Sequence, residues 1–276
     1  MPAELSIVLF FICDFLCLYL VSRAMKLKNS IILGIILLLT SCAKNLPVIG
    51  SGDPEKEFAS CMRLASKGDL EDSVQCLEMF KARYPQTKLG QEAELRIGDA
   101  YYKKKDYLMA AESYSAYLKL HPRSSRADYA YYRIGMSYLK EGPKAIDRDQ
   151  EYLETAIDNF RTVVRFFPQS EYSPPAKVSL HNARNRVARR IFYIGKFYYN
   201  TGEYLACIPR FKALAEQYPD SGLADLSLYK VVMANLKLGR IDDAKAAYST
   251  LAMSYSDSNY TKKAESKVLS AVRKKK

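Results

Sequence analysis

One short phrase recurs through the polar body of this chain, and it constrains the fold more than any other feature. Tyr84-Pro85, His121-Pro122, Phe167-Pro168 and Tyr218-Pro219 each close a stretch of helical periodicity, and a serine or threonine follows soon after. Upstream lies a tight-turn marker: Gly68-Asp69-Leu70, Lys105-Asp106-Tyr107, Gly202-Glu203-Tyr204 or Gly239-Arg240-Ile241. The unit reads helix, tight turn, helix, proline-marked stop. No such hairpin buries its apolar face alone, so stacking on neighbours has to make the core.

The spacing resembles the tetratricopeptide repeat, where a small residue on the first helix opposes a small residue on the second. Gly98, Tyr101, Ala110, Tyr114 and Pro122 fit the pattern fully. Gly195, Tyr198, Cys207, Phe211 and Pro219 fit with one substitution. The first repeat reads Cys61, Leu64, Ser73, Leu77, Pro85, and the third Gly135, Tyr138, Ala156, Phe160, Pro168. The fifth reads Val232, Asn235, Ala244, Tyr248, with Ser256 where proline is expected. Small residues let two antiparallel helices approach, and the rings are expected to fill the gap between one hairpin and the next. The expected fold is all-α, a tetratricopeptide-repeat solenoid of five helical hairpins, preceded by an apolar signal segment and a short tether. Repeats one to three occupy 57–168, repeats four and five 169–270, and a basic tail 271–276.

Two places break the period. The third repeat carries extra residues at Glu141–Gln150, in the turn between its helices. Before the fourth comes "SPPAKVSLHNARNRVARR", in which Pro174 and Pro175 suit a helix start and Val178, Val187, Ile191 and Ile194 continue a helical face. A lengthened first helix is expected from about Pro175 to Asn200.

The N-terminal region is apolar in two stretches. Met25 opens a basic n-region (Lys26, Lys28), an apolar h-region (Ile31–Leu39) and a small-residue site at Thr40-Ser41, which together make an export signal over 25–41. Residues 1–24 are read as an upstream over-annotation or an extra apolar helix. The rival is a true span at Leu5–Val21, where Asp14 at the bilayer centre would cost about 2.5–3.5 kcal/mol. Leu39-Thr40-Ser41-Cys42 looks like a bacterial lipobox, so Cys42 is expected to become the lipidated N-terminus. The residue after it is Ala43 and not aspartate, which by resemblance to enteric lipoproteins favours sorting to the outer membrane. Residues 42–56, rich in Pro, Gly and Ser, form the lipidated tether on the periplasmic side.

A lipobox, a tether and five repeats with these two irregularities resemble the BamD family of outer-membrane assembly lipoproteins. The motifs that carry the likeness are "DRDQEYLETAIDNFRTVVRFFPQSEYSPPA", with its ending of the form FP-x-S-x-Y, and "IGKFYYNTGEYLACIPRFKALAEQYPDS". Arg190-Ile191 stand where the family usually has an acidic residue. The resemblance implies a non-catalytic scaffold. Its C-terminal repeats (Phe197–Ala264) would dock on the POTRA domains of a BamA-type barrel subunit, with other assembly lipoproteins as further partners. Its N-terminal repeats would receive unfolded outer-membrane proteins. Counting from the small residues, the expected groove lining is Phe58, Met62, Glu92, Leu95, Asp99, Tyr102, Tyr129, Tyr132 and Met136. The alternative is another periplasmic repeat lipoprotein, a pilus-secretin pilotin or a division adaptor.

Cys61 and Cys76 flank the first turn symmetrically and would pair in an oxidising periplasm if their Cα atoms lie within about 7 Å. Cys207 occupies a small-residue packing position. His121 and His181 have no partners at metal-ligand spacing, and no phosphate loop or nucleophile elbow appears. No enzyme activity, metal or cofactor is expected beyond the lipid on Cys42. The net charge of +12 comes without a nucleic-acid-binding signature, which leaves a solvated surface, anionic lipid or an acidic partner.

Overall fold

The computed structural model describes residues 50, 52–143, 145 and 151–275. The leader, the signal segment, Cys42, most of the tether and the loop at 146–150 lie outside the described residues. Within them the chain is helical throughout, with no strand. Five hairpins follow in order: α1 (Pro54–Lys67) with α2 (Leu70–Arg83), α3 (Lys88–Lys103) with α4 (Tyr107–Leu120), α5 (Ala127–Glu141) with α6 (Glu151–Phe166), α7 (Ser173–Asn200) with α8 (Tyr204–Gln217), and α9 (Ala224–Lys237) with α10 (Ile241–Ser254). An eleventh helix, α11 (Asn259–Lys275), packs on both α9 and α10 and closes the last hairpin.

The recurrent phrases do the turning. Within a hairpin the backbone N–H of Asp69, Asp106, Glu203 or Arg240 donates to the carbonyl five residues earlier, at 2.9–3.0 Å. The residue just before takes a left-handed conformation: Gly68 at φ 93, Gly202 at 84, Gly239 at 71 and Lys105 at 66. This satisfies carbonyls that a helix end would leave unpaired. Between hairpins the N–H of Thr87, Ser124, Ser170, Ser221 or Ser258 returns to the residue that begins the phrase, at 3.0–3.2 Å. The serine hydroxyls at 124, 170, 221 and 258 each accept the N–H two residues on. The fifth junction, Tyr255–Ser258, keeps this geometry without a proline, so the serine turn rather than the ring of proline sets it.

The core departs from expectation in one instructive way. The second-helix rings press on the small residue of their own hairpin. A methyl added at Gly98 would lie 2.7 Å from the Tyr114 ring, at Gly135 2.7 Å from Phe160, and at Gly195 2.8 Å from Phe211. Tyr114, Phe160 and Phe211 are fully buried there. The spacing therefore encodes a ring-on-glycine contact first. Packing between hairpins is shared with other side chains, such as Tyr129 at 6.1 Å from Tyr114. In the first hairpin, which has neither glycine nor ring at these positions, Cys61 and Cys76 form a disulfide with Cα atoms 5.3 Å apart. Cys207 is a buried free thiol.

The long helix runs 28 residues with Pro174 and Pro175 in its first turn. Ala183 and Val187 pack on Leu153 and Ile157 of α6, whereas Val178 is 62% exposed and is no part of the core. Arg186 donates to the carbonyls of Leu139, Gly142 and Pro143, at 3.3, 3.3 and 2.7 Å. Arg184 reaches the carbonyl of Gln217 and the carboxylate of Asp220, at 2.8 and 3.0 Å. The helix α7 is thus fastened both to the preceding hairpin and to the end of its own partner helix α8. Residues 271–275 of the expected basic tail belong to α11, which continues through Lys275.

Candidate functional site

The first helices of repeats two and three carry a continuous network of rings and charges. Asp99 of α3 is its centre. It accepts the hydroxyls of Tyr114 (2.5 Å) and Tyr129, and pairs with Arg96 at 2.7 Å and Arg133 at 3.7 Å. Arg96 also pairs with Glu92 at 2.5 Å. Arg133 of α5 donates to the Tyr114 hydroxyl at 3.0 Å and lies 3.9 Å over the ring of Tyr102. A second row continues from Tyr129 to Tyr172 (5.2 Å between centroids) and from Tyr172 to Tyr132 (5.5 Å, stacked). Burial and then the Asp99 charge push the Tyr114 and Tyr129 hydroxyls far above the ordinary tyrosine range. Both phenols stay neutral donors throughout the physiological range. The carboxylate in this network accepts from three donors and faces a second guanidinium, a charge-assisted arrangement that fixes these side chains in place.

Of the nine groove residues expected from the sequence, Glu92, Asp99, Tyr102, Tyr129 and Tyr132 meet in this network. Leu95 does not line a groove: it is 0% exposed and belongs to the core of the second hairpin with Ala110 and Tyr114. The count from the small residue placed it on the open face, but it points between the helices. Phe58 and Met62 are half-buried against the first-hairpin core, with Phe58 5.5 Å from Phe80. Met136 is half-buried beside α7, its sulfur accepting the Ser179 hydroxyl at 3.6 Å. Sequence reasoning missed Arg96, Tyr114, Arg133 and Tyr172 as members. Arg133 falls one turn after Tyr129, and Tyr172 is the last residue of the FP-x-S-x-Y ending, so both carried a signal.

In the first turn of α1, Glu57 is nearly fully buried and accepts the backbone N–H groups of Gly50 and Gly52 at 2.9 and 3.2 Å. Arg83 approaches the same carboxylate at 3.6 Å. The end of the tether is held against the first hairpin by this grip.

The C-terminal half offers a different face. Tyr193 and Phe197 of α7 are 47% and 58% exposed, with Leu205 of α8 also exposed. Lys230 lies 4.3 Å over Tyr199, and burial and then Lys196 hold its ammonium below the usual lysine range. A groove of about 810 Å³ opens between α8 and α10, floored by Leu228 and Val231 and rimmed by Lys212, Glu216, Arg240 and Asp243. Among the described residues no group of three or more His, Cys, Asp or Glu could hold a metal ion. No helix there is long and apolar enough to cross a membrane.

The profile of the YfiO family, described as "Outer membrane lipoprotein", matches residues 52–251, all five hairpins almost to the end of α10. The chain belongs to the YfiO family. Two curated relatives bear the name outer membrane protein assembly factor BamD. The one from Caulobacter vibrioides is 27% identical over 65% of this chain and 58% of its own length. The one from Vibrio cholerae is 24% identical over 74% of this chain and 89% of its own. This YfiO-family chain thus spans little more than half the length of the first relative and most of the second. Among solved structures, the TPR2AB-domain:pHSP90-complex of yeast Sti1 is similar over 80% of this chain and 84% of its own, at 13% identity and a TM-score of 0.39.

Proposed function

We propose that this chain is a non-catalytic scaffold of the machinery that assembles β-barrel proteins, held at the periplasmic face of the outer membrane by lipid on Cys42. The observation that carries the reading is the ring-and-charge network across repeats two and three. An unfolded barrel strand alternates apolar side chains and ends in an aromatic. Half-buried rings at Tyr102, Tyr129, Tyr132 and Tyr172 offer such a segment surfaces on which to bury its own rings, each worth roughly 1.5–3 kcal/mol when fully covered. The hydrogen bond to Asp99 holds Tyr129 in place beforehand, Arg133 holds Tyr102, and Tyr172 and Tyr132 continue the row by ring contact, which reduces the entropy lost on binding. The relatives' name, assembly factor, supports the same reading.

The platform for a POTRA-bearing barrel subunit is Phe197–Ala264, a stretch that carries the exposed ring of Phe197 and the α8–α10 groove. Accessory assembly lipoproteins are further partners of the same stack. No cofactor takes part. Photo-crosslinking amino acids at Tyr132 and Phe197, introduced one at a time in cells, test both halves. The Tyr132 probe should trap barrel precursors and the Phe197 probe a POTRA-barrel subunit. Recovery of a secretin or a division protein at both positions would sink the proposal. Cys42→Ala should release the protein from the envelope, and retention would count against the lipid anchor alone.

A further inference from the structure

The helix that closes the stack has charge that its own fold does not explain. Lys262, Lys263, Lys267, Arg273 and Lys274 all lie on the exposed side of α11, opposite the buried Thr261, Ala264 and Val268. At 3.6 residues per turn these five cations occupy less than about half the helix circumference. Glu265 is the only acid on the helix. Several lysines and arginines on other helices pair with carboxylates, as in Lys56 with Asp53, Lys81 with Glu78, Lys104 with Glu71 and Arg161 with Asp158, but α11 gathers five cations on one arc with a single acid on the helix. None of the five on α11 makes an ion pair among the described residues. The helix dipole accounts for Arg273 and Lys274 at the C-terminal end. It disfavours Lys262 and Lys263, which close a first turn that has no acid to balance them. Leu269, 50% exposed, flanks the same arc.

We propose that this face of α11 rests on an anionic phospholipid surface. Lys263 lies 5.5 Å over the Tyr260 ring, and none of the row has a carboxylate partner; a row of such cations edged by one exposed aliphatic side chain is the pattern of a helix lying at the headgroup level, attracted by charge and seated shallowly by its apolar member. Membership of a family of outer membrane lipoproteins puts a bilayer beside this chain. A folded acidic protein would leave Leu269 without a role, whereas the headgroup boundary accommodates both features.

The chain has no tryptophan, so Leu269→Trp places a single reporter on the face in question. The full-length protein carrying it is reconstituted into vesicles of phosphatidylcholine alone or phosphatidylcholine mixed with phosphatidylglycerol. The readout does not depend on how the N-terminus is held. The expected result is a blue-shifted emission and a several-fold loss of acrylamide quenching in the anionic vesicles only, reversed by high salt. Lys267→Glu, Arg273→Glu and Lys274→Glu together, all outside the Phe197–Ala264 platform, should abolish both changes while leaving the far-ultraviolet dichroism unaltered. Equal emission in the two vesicle types, or shielding that ignores salt and the triple variant, would overturn the proposal. Fully quenched tryptophan in both would do the same and would point to an acidic protein as the partner instead.

Discussion

Replacing Gly98 by alanine probes the contact on which each hairpin is built. The new methyl would stand 2.7, 2.8 and 2.9 Å from three carbons of the Tyr114 ring, where ordinary carbon contacts begin near 3.5 Å. The ring must retreat by most of an ångström. It cannot do so freely, because its hydroxyl is bonded to Asp99 at 2.5 Å and to Arg133 at 3.0 Å. Overpacking costs about 1–3 kcal/mol and a weakened hydrogen bond to a charged acceptor roughly 1.5–3, against a helix-propensity gain near 1. The net is a destabilisation of roughly 2–4 kcal/mol. Urea unfolding followed by far-ultraviolet dichroism measures it. In a Tyr114→Phe background the ring can move without straining that bond, so the cost of Gly98→Ala should fall by about 1 kcal/mol or more. A Gly98→Ala variant as stable as the parent, or an identical cost in both backgrounds, would refute the reasoning.

Removing the disulfide with Cys61→Ala and Cys76→Ala frees a loop with a sequence separation of 15 and should cost about 3 kcal/mol in the same assay. Lys105, at φ 66, does the work that glycine does in the equivalent turns, so Lys105→Gly should be neutral or stabilising by up to about 1 kcal/mol. The raised tyrosines predict a pH dependence with a definite sign. Below about pH 10 both folded and unfolded states keep these phenols protonated. Above it the unfolded chain ionises Tyr114 and Tyr129 while the folded one resists, so stability falls with rising pH. Absorbance at the tyrosinate band should show these two titrating only together with loss of dichroism.

The repeat order and the hairpin turns were legible because they depend on local chemistry: a left-handed residue, a returning N–H, a serine whose hydroxyl accepts the N–H two residues on. The long helix was legible too, since Pro174-Pro175 fixes its start and the next turn signal fixes its end. What sequence could not supply was the register between hairpins. Asp99 gathers Tyr129 and Arg133 from a helix some thirty positions away, and no local pattern specifies that meeting. Leu95 was misplaced for the same reason: counting along one helix gives a face, but which neighbour covers that face is decided by how hairpins sit on each other. The closing helix went unread because it lacks a partner helix, and the repeat pattern recognises pairs. Glu57 was invisible because its ligands are backbone groups.

The long helix α7 belongs to two neighbourhoods at once. Its 28 residues span roughly 42 Å. Its first half packs on α6, and its second half is the front helix of the next pair. Beyond Pro175 it contains no proline, and its one glycine is wedged against Phe211, so it has no site at which kinks usually arise. A shared rod of this kind acts as an axle. Load arriving on the front pairs is delivered to the rear ones as rotation of a rigid frame, with no joint in between to absorb it.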